Sequence, residues 1–557
     1  MKLSDYVIDF VKRNTDSIFL LPGGGIMHLV DSVRKSKLNA YCCHHEQAAA
    51  IAAEGYARVK NDIGVCLVTT GPGGTNAITG VAGAWLDSIP VFVIGGQVKT
   101  DNIVPRKDGR PLLRQLGFQE LNVIDLVKPI TKYAVMVEDK NKIKYHLEKA
   151  VYLAKSGRPG PVWIEIPLDL QEAEVNPKEF CTFSPPLQSR HVKNKLPIDL
   201  IINKLEEAEK PLLIVGNGIR LAGGIDVLWK FIEGTKINVV SSIFTADDIV
   251  TYDYPYYLGR QGMPGNVTAN WAVDNADLLL IIGERMQLTQ TSYDYQHFAP
   301  TAYKIMVDID ENELHKKTIK INLPVHCDAM VFLKEMVKRK INLKRWDVKV
   351  KEINPDNYQG DKKYLNIYRF LNELSRLSKN FHVATANGMA SLIPHQALKV
   401  RKGQRFITNA GLGHMGSGLP LAIGASVADG KKPVICFEGD GSIMLNIQEL
   451  QTVFHHQLPL KIFIFNNNGY YSIRSTHLNY FNKTFVSDPD TGVSFPNFEK
   501  LIKAWGIRYE KITDDKELRR LKGVMEYEGP IVCELMIDPY QPILPKWTAN
   551  QYKNKNL

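Results

Sequence analysis

Two short motifs in the C-terminal part of the chain combine Asp or Asn side chains with glycine, and each motif follows a short apolar run. The motif Gly439-Asp440-Gly441 follows the run 432–437, and the motif Asn466-Asn467-Asn468-Gly469-Tyr470 closes the run 460–465. A carboxylate, an amide oxygen and a glycine carbonyl are hard oxygen ligands, which suit a Mg²⁺ ion that also binds a diphosphate. The two motifs therefore predict a metal and phosphate site.

Both apolar runs are short and rich in β-branched and aromatic residues, which is typical of buried parallel strands. A helical stretch, 446–454, lies between them. The two motifs are therefore expected at the same carboxyl edge of one sheet, where α/β folds bind ligands. An alternative is that each motif is only a turn that closes a strand. That alternative does not explain why both strands end in residues of the metal-ligand type.

A third candidate, Glu46, lies in a stretch that is plainly helix-forming. The stretch 44–58 follows a strand-like segment, and Glu46 falls in its first turn, beside the positive end of the helix dipole. One interpretation is that a lone Glu here only complements the dipole. The other is a catalytic carboxylate, which the metal motif elsewhere in the chain favours.

A glycine-rich string, Gly411-x-Gly413-x-x-Gly416, lies between a predicted strand and a predicted helix, and Glu438 follows 22 residues later. This is the pattern of an NAD-binding fingerprint, in which the acidic residue binds a ribose. It provides an alternative hypothesis from another class, an NAD- or flavin-linked 2-ketoacid oxidoreductase. Against it, Glu438 runs directly into the Gly-Asp-Gly motif, which a ribose-binding acid does not require.

The two C-terminal motifs together resemble the diphosphate–Mg²⁺ signature of thiamine diphosphate (ThDP) enzymes. In that signature the second Asn follows the Asp by 27 positions, as Asn467 follows Asp440 here. The resemblance implies that Asp440, Asn467 and the Gly469 carbonyl hold the metal. It implies further cofactor contacts at Asn387, Gly388, Gly439, Gly441, Ser442 and Tyr470.

The same resemblance assigns roles around the aminopyrimidine of the cofactor. It implies that Glu46 hydrogen-bonds N1′ and favours the imino tautomer, so that the protein tunes chemistry that the cofactor supplies. It also implies that Gly413 and Met415 contact the pyrimidine and that the Met415 side chain supports its bent shape. The chain departs from the family at 387–390, where Asn-Gly-Met-Ala replaces a segment with a phosphate-binding His; Asn387 or backbone N–H groups are the expected substitutes.

Further segments resemble the acetohydroxyacid (acetolactate) synthase catalytic subunit, and this resemblance covers nearly the whole chain. It rests on segments 21–25, 70–76, 118–120 and 157–167. It implies that Gly25 lies near the reacting carbon and that Phe118 and Gln119 line the substrate pocket. Gln119, with His45 or His477, is expected to orient the acceptor or move protons.

The resemblance also predicts the architecture. The expected fold class is α/β, with three consecutive Rossmann-like or flavodoxin-like domains: 1–175 binds the pyrimidine, 190–340 is central, and 360–540 binds the diphosphate. The linkers are expected at 176–197 and 338–361, which are rich in Pro, Ser or Lys. The family places each active site at a subunit interface, which implies a homodimer or a homotetramer.

The central domain of several relatives binds FAD, while related decarboxylases keep the domain without a flavin, so both alternatives stand. A flavin here is expected to be structural, because no electron-transfer partner is implied. A cation that follows a strand and a Gly suits a phosphate. The positions that match the FAD contacts are Gly216, Gly218, Gly262, Met263, Gly283, Arg285, Asp308 and Asp328.

The acceptor is predicted from a departure in the stretch 470–481. The amino-acid-pathway enzymes carry a Gln-Trp pair there, whereas this chain has a polar stretch that includes Arg474 and His477. That stretch, and the pair His44-His45, look more like the acetolactate-synthase-like carboligases of bacterial surface-sugar gene clusters. The resemblance implies transfer of an acetyl unit from pyruvate to a keto-sugar nucleotide. The alternatives are an ordinary acetolactate synthase and, for Arg474, a plain solvated helix charge.

Composition excludes several other classes of protein. The 557 residues suit three to four domains, and the net charge of +10 has no aromatic-interleaved basic patch, so a nucleic-acid role is not expected. No run is long and apolar enough to span a membrane, and the first residues are expected to form an amphipathic helix and not a signal peptide. The seven Cys, mostly in apolar runs, suit reduced thiols in the cytoplasm.

Overall fold

The computed structural model describes residues 1–186, 196–244, 249–357, 360–543 and 547–555. In these ranges three six-stranded parallel sheets follow one another along the chain, as the α/β prediction requires. The predicted start of the central domain, residue 190, lies outside the described residues, and so do parts of both predicted linkers.

The first and third sheets share one strand order, 2-1-3-4-6-5 when strands are counted within each sheet. The strands of the first sheet, in spatial order, are Asn39–Cys42, Ser17–Leu20, Gly64–Val68, Val91–Gln97, Val162–Pro167 and Tyr133–Met136. The strands of the third are Phe406–Thr408, His382–Thr385, Val434–Gly439, Leu460–Asn466, Ile531–Met536 and Arg508–Ile512.

The middle sheet has a different order, 3-2-1-4-5-6, which is that of dinucleotide-binding folds. Its strands, in spatial order, are Tyr257–Gln261, Asn238–Ser242, Pro211–Val215, Leu278–Ile282, Tyr303–Asp308 and Leu323–His326. A two-stranded antiparallel hairpin, Arg106–Lys107 with Arg110–Pro111, stands apart from the three sheets.

Helices cover both faces of the sheets, which explains why central strands such as Leu278–Ile282 are apolar and buried throughout. In the first domain the α-helices are Leu3–Asn14, Met27–Ser36, Glu46–Lys60, Pro72–Leu86, Val123–Val127, Ile143–Lys155 and Leu168–Glu172. In the middle domain they are Ile198–Glu207, Gly218–Leu221, Ile225–Thr235, Val267–Asn275, Leu288–Thr291, Glu311–Leu314 and Ala329–Met336.

The third domain has the α-helices Ile367–Leu377, Met389–Ala397, Gly418–Ala428, Asp440–Ile443, Glu449–His456, Tyr471–Phe481, Phe498–Ala504 and Leu521–Glu526. Short 3₁₀ helices are Gly24–Ile26, Thr100–Asn102, Lys128–Ile130, Lys140–Lys142, Pro177–Glu179, Tyr295–His297, Pro355–Asn357, Pro489–Thr491 and Asp515–Arg520. Among the helices of the described ranges, none combines the length and the apolarity needed to cross a bilayer.

Two helices join the first and third domains in close contact. Helix Glu46–Lys60 packs against helix Gly418–Ala428, and both are buried along most of their length. A Cβ on Gly55 would meet the Leu421 carbonyl, and a Cβ on Gly424 would meet the Ala52 carbonyl. The small residues therefore allow the two backbones to approach closely, and this contact fixes the helix whose first residue is Glu46.

Candidate cofactor and active site

The two oxygen-rich motifs meet at one sheet edge, as the sequence predicts. Strands Val434–Gly439 and Leu460–Asn466 are parallel neighbours, with Gly439 paired to Phe465. Asp440 Oδ2 accepts hydrogen bonds from the backbone N–H groups of Asn467, at 3.2 Å, and Gly469, at 3.0 Å. The carboxylate of the first motif therefore fixes the backbone of the second motif by hydrogen bonds.

The polar atoms at this edge fit a divalent cation. Asn467 is 4% exposed, and its Oδ1 is buried and accepts no hydrogen bond from any described residue. Burial raises the pKa of Asp440 to about 6, against the lowering effect of its backbone N–H donors. A bound Mg²⁺ would give the amide oxygen a partner and would stabilise the ionised carboxylate. The donors present, a carboxylate with an amide and a carbonyl oxygen, suit this ion.

Ser442 and Tyr470 hold the neighbouring loops in place. Ser442 Oγ accepts from the Gly416 N–H at 2.8 Å, which joins the metal motif to the glycine-rich loop 411–416. The Tyr470 ring lies against Gly441, where a Cβ would collide with it. These contacts bring the predicted diphosphate residues and the predicted pyrimidine loop together.

Two more predicted cofactor residues reach the same place. Asn387 Nδ2 donates to the Gly413 carbonyl, and Gly388 precedes helix Met389–Ala397. No described atom lies within 4 Å of where a Cβ on Gly413 would be, and Met415 is half-buried in the same loop. Four loops therefore converge at the carboxyl edge of the third sheet.

The geometry of Glu438 argues against the NAD-fingerprint alternative. Its carboxylate is wholly buried and accepts from the Leu419 N–H at 3.0 Å, at the start of helix Gly418–Ala428. The strand before the glycine-rich loop, Phe406–Thr408, is an edge strand of a sheet whose order is not the dinucleotide-binding one. Glu438 therefore holds a helix terminus and does not face a ribose.

Glu46 is the first residue of helix Glu46–Lys60 and is 6% exposed. Its Oε2 accepts from Asn76 Nδ2 at 3.0 Å. Sequence reasoning did not single out Asn76, although it lies in the segment 70–76 that carried the resemblance. His45 caps the helix, since its Nδ1 accepts from the Gln47 N–H at 3.0 Å, and this bond leaves only Nε2 for any further contact of the ring nitrogens.

The third domain also holds the start of this helix. Glu449, a buried residue of helix Glu449–His456, accepts from the His44 N–H at 2.9 Å and from Thr452 Oγ1 at 2.7 Å. Burial raises the pKa of Glu449 to about 7. The position of Glu46 therefore depends on two domains.

The predicted substrate-side residues lie on the surface of the first domain. Gly25 donates its N–H to Thr69 Oγ1 at 3.2 Å and accepts from Gln171 Nε2 at 2.7 Å. Gln119 is exposed, with a backbone φ of +63°. Phe118 is 87% exposed, so within one described chain it does not line a closed pocket.

A groove between the three domains includes five of the eight positions predicted to contact FAD. It spans about 1080 Å³, part of it open to solvent. The five are Gly218, Gly283, Arg285, Asp308 and Asp328, whereas Gly216, Gly262 and Met263 are not among its lining residues.

Cations in this groove are already engaged by the protein. Arg285 Nη1 donates to the Leu86 carbonyl at 2.6 Å, and its Nη2 lies 3.5 Å from Asp87. Arg158, a lining residue that the sequence analysis did not single out although it lies in the segment 157–167, pairs with Asp310 at 2.9 Å and Glu313 at 3.0 Å. The groove lies where the family resemblance places a dinucleotide, whose phosphates would compete with these carboxylates for the arginines.

Arg474 does not face an acceptor. It is 2% exposed, and its guanidinium donates to the backbone carbonyls of Asn467 and Asn468, in the loop 467–469 that is predicted to bind the metal (the metal loop). Both predicted roles, an acceptor contact and a solvated helix charge, are therefore wrong, because helix Tyr471–Phe481 turns this residue inward. Thr476 is exposed and His477 is half-buried on the remaining surface of that helix.

Three family models match the chain. The N-terminal TPP binding domain of thiamine pyrophosphate enzymes matches residues 1–126, their central domain matches 198–336, and their C-terminal TPP binding domain matches 386–535. The acetolactate synthase isozyme 2 large subunit of Escherichia coli (strain K12) is 34% identical over 550 residues, which is 97% of this chain and 96% of that protein.

Other relatives come from distant organisms. The probable acetolactate synthase large subunit of Methanocaldococcus jannaschii is 32% identical over 555 residues, 95% of this chain and 90% of that protein. The chloroplastic acetolactate synthase 1 of Nicotiana tabacum is 31% identical over 574 residues, 98% of this chain and 83% of that protein. The likeness therefore extends over the whole chain and not over one domain.

Proposed function

We propose that this chain, which belongs to the thiamine pyrophosphate enzymes and among them to the acetolactate synthase large subunits, is a Mg²⁺-dependent carboligase. It decarboxylates pyruvate and transfers the two-carbon unit to a carbonyl acceptor. The observation that carries the proposal is the buried Asn467 Oδ1, which has no partner among the described residues, on a loop whose Asn467 N–H donates to the Asp440 carboxylate. A cation at this place would neutralise the diphosphate of the cofactor.

Thiamine diphosphate, when bound, supplies a carbon centre that can carry the negative charge left by decarboxylation. The chain supplies position and protons. Glu46, held by Asn76, would share a proton with the aminopyrimidine, and the loop with Gly413 and Met415 would support that ring. Asn387, in the place of the family's His, would donate to a phosphate oxygen.

The proposed acceptor is a nucleotide-linked keto-sugar. Supporting this are the hydroxyl groups of Ser472 and Thr476 on the exposed side of helix Tyr471–Phe481 and the lack of any Trp in that stretch. Ser472 Oγ lies 3.5 Å from where a Cβ on Gly388 would be, which places this helix beside the diphosphate loops. The second candidate, acetolactate formation from pyruvate and a 2-ketoacid, is favoured by the names of the relatives.

The proposed assembly is a homodimer or a homotetramer with the active site between subunits. Two exposed apolar patches support it. The first-domain apolar patch consists of Leu112, Leu113, Leu116 and Phe118, and the third-domain apolar patch consists of Tyr480, Phe481 and Phe485. Large exposed apolar patches mark protein interfaces, and each of the two patches lies on a domain that carries part of the proposed site.

FAD in the groove between the domains, if bound, would have a structural role.

Product analysis tests the proposal. Protein with Mg²⁺ and thiamine diphosphate is given ¹³C-labelled pyruvate, alone and with nucleotide-linked keto-sugars, and products are identified by mass spectrometry. We expect a labelled two-carbon adduct of the sugar and slow self-condensation of pyruvate. Asp440→Ala and chelation of the metal should abolish both reactions. Acetolactate formed at about 10 s⁻¹ from pyruvate alone, a typical enzyme rate, with no sugar adduct, would establish the second candidate instead.

A further inference from the structure

The guanidinium of Arg474 is buried against the loop that carries two of the proposed metal ligands. Nη1 donates to the Asn467 carbonyl at 3.2 Å and Nη2 to the Asn468 carbonyl at 2.8 Å. The same nitrogens reach the Pro539 carbonyl at 2.9 Å and the Ser487 carbonyl at 3.4 Å. One side chain therefore joins the metal loop to two other segments of the third domain.

The positive charge of Arg474 is balanced by the nearby carboxylate of Asp488. Asp488 Oδ2 lies 3.6 Å from Arg474 Nε and accepts from Ser487 Oγ at 3.1 Å, while Asp488 Oδ1 accepts from Thr491 Oγ1 at 2.7 Å. The Tyr540 ring lies 5.6 Å from the guanidinium carbon. A planar guanidinium presents several N–H donors in a fixed geometry, whereas a lysine ammonium is a single point charge. Four carbonyls from three segments are a set that only arginine can serve at once.

Gly469 is shaped to fit this side chain. Its backbone φ is +150°, a value that disfavours a side chain, and a Cβ would meet both Arg474 Nη2 and the Ser487 carbonyl. The Gly469 N–H donates to Asp440 Oδ2. The residue thus lies between the guanidinium on one side and the metal-binding carboxylate on the other.

We propose that Arg474 is a positioning residue for the metal site, which holds the loop 467–469 so that Asn467 Oδ1 and the Gly469 carbonyl face the cation. The inference rests on the proposed function, since it concerns the same metal. Without the guanidinium, the Asn467, Asn468 and Pro539 carbonyls lose their donor inside the protein, and the loop relaxes. The Ser487 carbonyl still accepts from the Tyr470 N–H. The consequence is weaker binding of Mg²⁺ and, with it, of the diphosphate.

The test measures the Mg²⁺ concentration that half-saturates binding of thiamine diphosphate to the full-length protein, followed by quenching of tryptophan fluorescence. Arg474→Met should raise that concentration about 10- to 100-fold, the usual cost of losing an outer contact of a metal site. Arg474→Lys should fall between Arg474→Met and the wild type. Gly469→Ala should also weaken binding, because it displaces the guanidinium.

Arg260 provides a matched control. It is 1% exposed and its Nη1 also donates to backbone carbonyls, but these are the carbonyls of Pro394 and His395, at the C-terminal end of helix Met389–Ala397, and not those of loop 467–469. Arg260→Met should lower the thermal midpoint and leave the Mg²⁺ requirement unchanged.

The outcomes separate the inference from the proposed function. If Asp440→Ala abolishes Mg²⁺-dependent binding while Arg474→Met and Arg474→Lys, both folded by circular dichroism, bind as the wild type does, the role of Arg474 is refuted and the metal site stands. An equal shift in Arg260→Met also refutes it, since the effect is then general destabilisation. If Asp440→Ala binds normally, the metal site itself is wrong. Where Arg474→Met does not fold, Arg474→Lys and Gly469→Ala decide.

Discussion

At the level of single residues, the side chain of Glu46 is fixed by contacts from two domains. Asn76 holds its carboxylate within the first domain, and Glu449 of the third domain holds the backbone just before the helix. Buried and hydrogen-bonded at one oxygen, this carboxylate would be preorganised for its proposed role, which is to share a proton with a ring nitrogen. A charge that only complemented a helix dipole would need neither burial nor Asn76.

We therefore expect Glu46→Gln to bind thiamine diphosphate and Mg²⁺ normally but to slow proton exchange at the thiazolium C2 of the bound cofactor. The loss should be about 10²–10⁴-fold, which is the usual size of a general acid–base contribution. Hydrogen–deuterium exchange of the bound cofactor, followed by NMR after acid quench, measures it. An exchange rate equal to the wild type would show that Glu46 is only a structural residue.

At the level of elements, the contact between helix Glu46–Lys60 and helix Gly418–Ala428 joins the first domain to the third within one chain. Its closeness depends on glycines, because backbone atoms of the partner helix occupy the place of a Cβ at Gly55 and at Gly424. At Gly424 the nearest atoms include the Tyr56 N at 2.7 Å. A side chain there would force the helices apart.

Gly424→Ala should therefore destabilise the protein by about 1–3 kcal/mol, the usual cost of overpacking a close contact. Gly523, in helix Leu521–Glu526 of the same domain, has no described atom within 4 Å of its Cβ position and is the matched control. Gly523→Ala should be neutral or stabilising by about 0.4–1 kcal/mol, because alanine restricts the unfolded chain. Thermal midpoints of the three proteins under one set of conditions compare them. Equal midpoints would mean that the helix contact tolerates a wider spacing.

At the level of the whole molecule, the three domains of one chain meet through a polar cluster as well as through helices. Asp87 of the first domain accepts from Arg58 at 2.6 Å and from the backbone N–H of Gly411 in the third domain at 2.9 Å, and it approaches Arg285 of the middle domain. The first-domain apolar patch remains exposed in one chain although it includes a predicted substrate-side residue. An apolar surface of this kind next to an active site is explained if a second copy of the chain covers it.

Leu116→Asp, a change within the first-domain apolar patch, should therefore shift the protein from dimer or tetramer toward monomer and weaken thiamine diphosphate binding. A charge placed in a dry interface costs more than it does at an exposed surface. Sedimentation velocity measures the oligomeric state at several protein concentrations. Leu200→Asp, at an exposed leucine of the middle domain, serves as control and should leave the oligomeric state unchanged. A wild-type protein that sediments as a monomer with full activity would refute the shared site.

The sequence by itself determined that the two oxygen-rich motifs lie at one edge of one sheet. Asp440 and Asn467 follow neighbouring strands of one sheet, and strand ends are local features that apolar runs and turn residues reveal. The helix that begins at Glu46 was likewise predictable from the local sequence of residues 44–58. The α/β class followed from the same alternation of strands and helices, and the family resemblance placed the three sheets in order.

Only the tertiary structure decided the burial of Arg474, the exposure of Phe118 and the pairing of Arg285 with Asp87. Helix Tyr471–Phe481 carries polar residues on several sides, so its sequence does not show which side faces inward, and the inward side is the one that carries Arg474. Exposure, ion pairing and hydrogen bonding depend on contacts between segments far apart in the chain. One example is the hydrogen bond from Arg474 to the Pro539 carbonyl. Such contacts are set by the packing of whole elements, which spacing along the sequence does not encode.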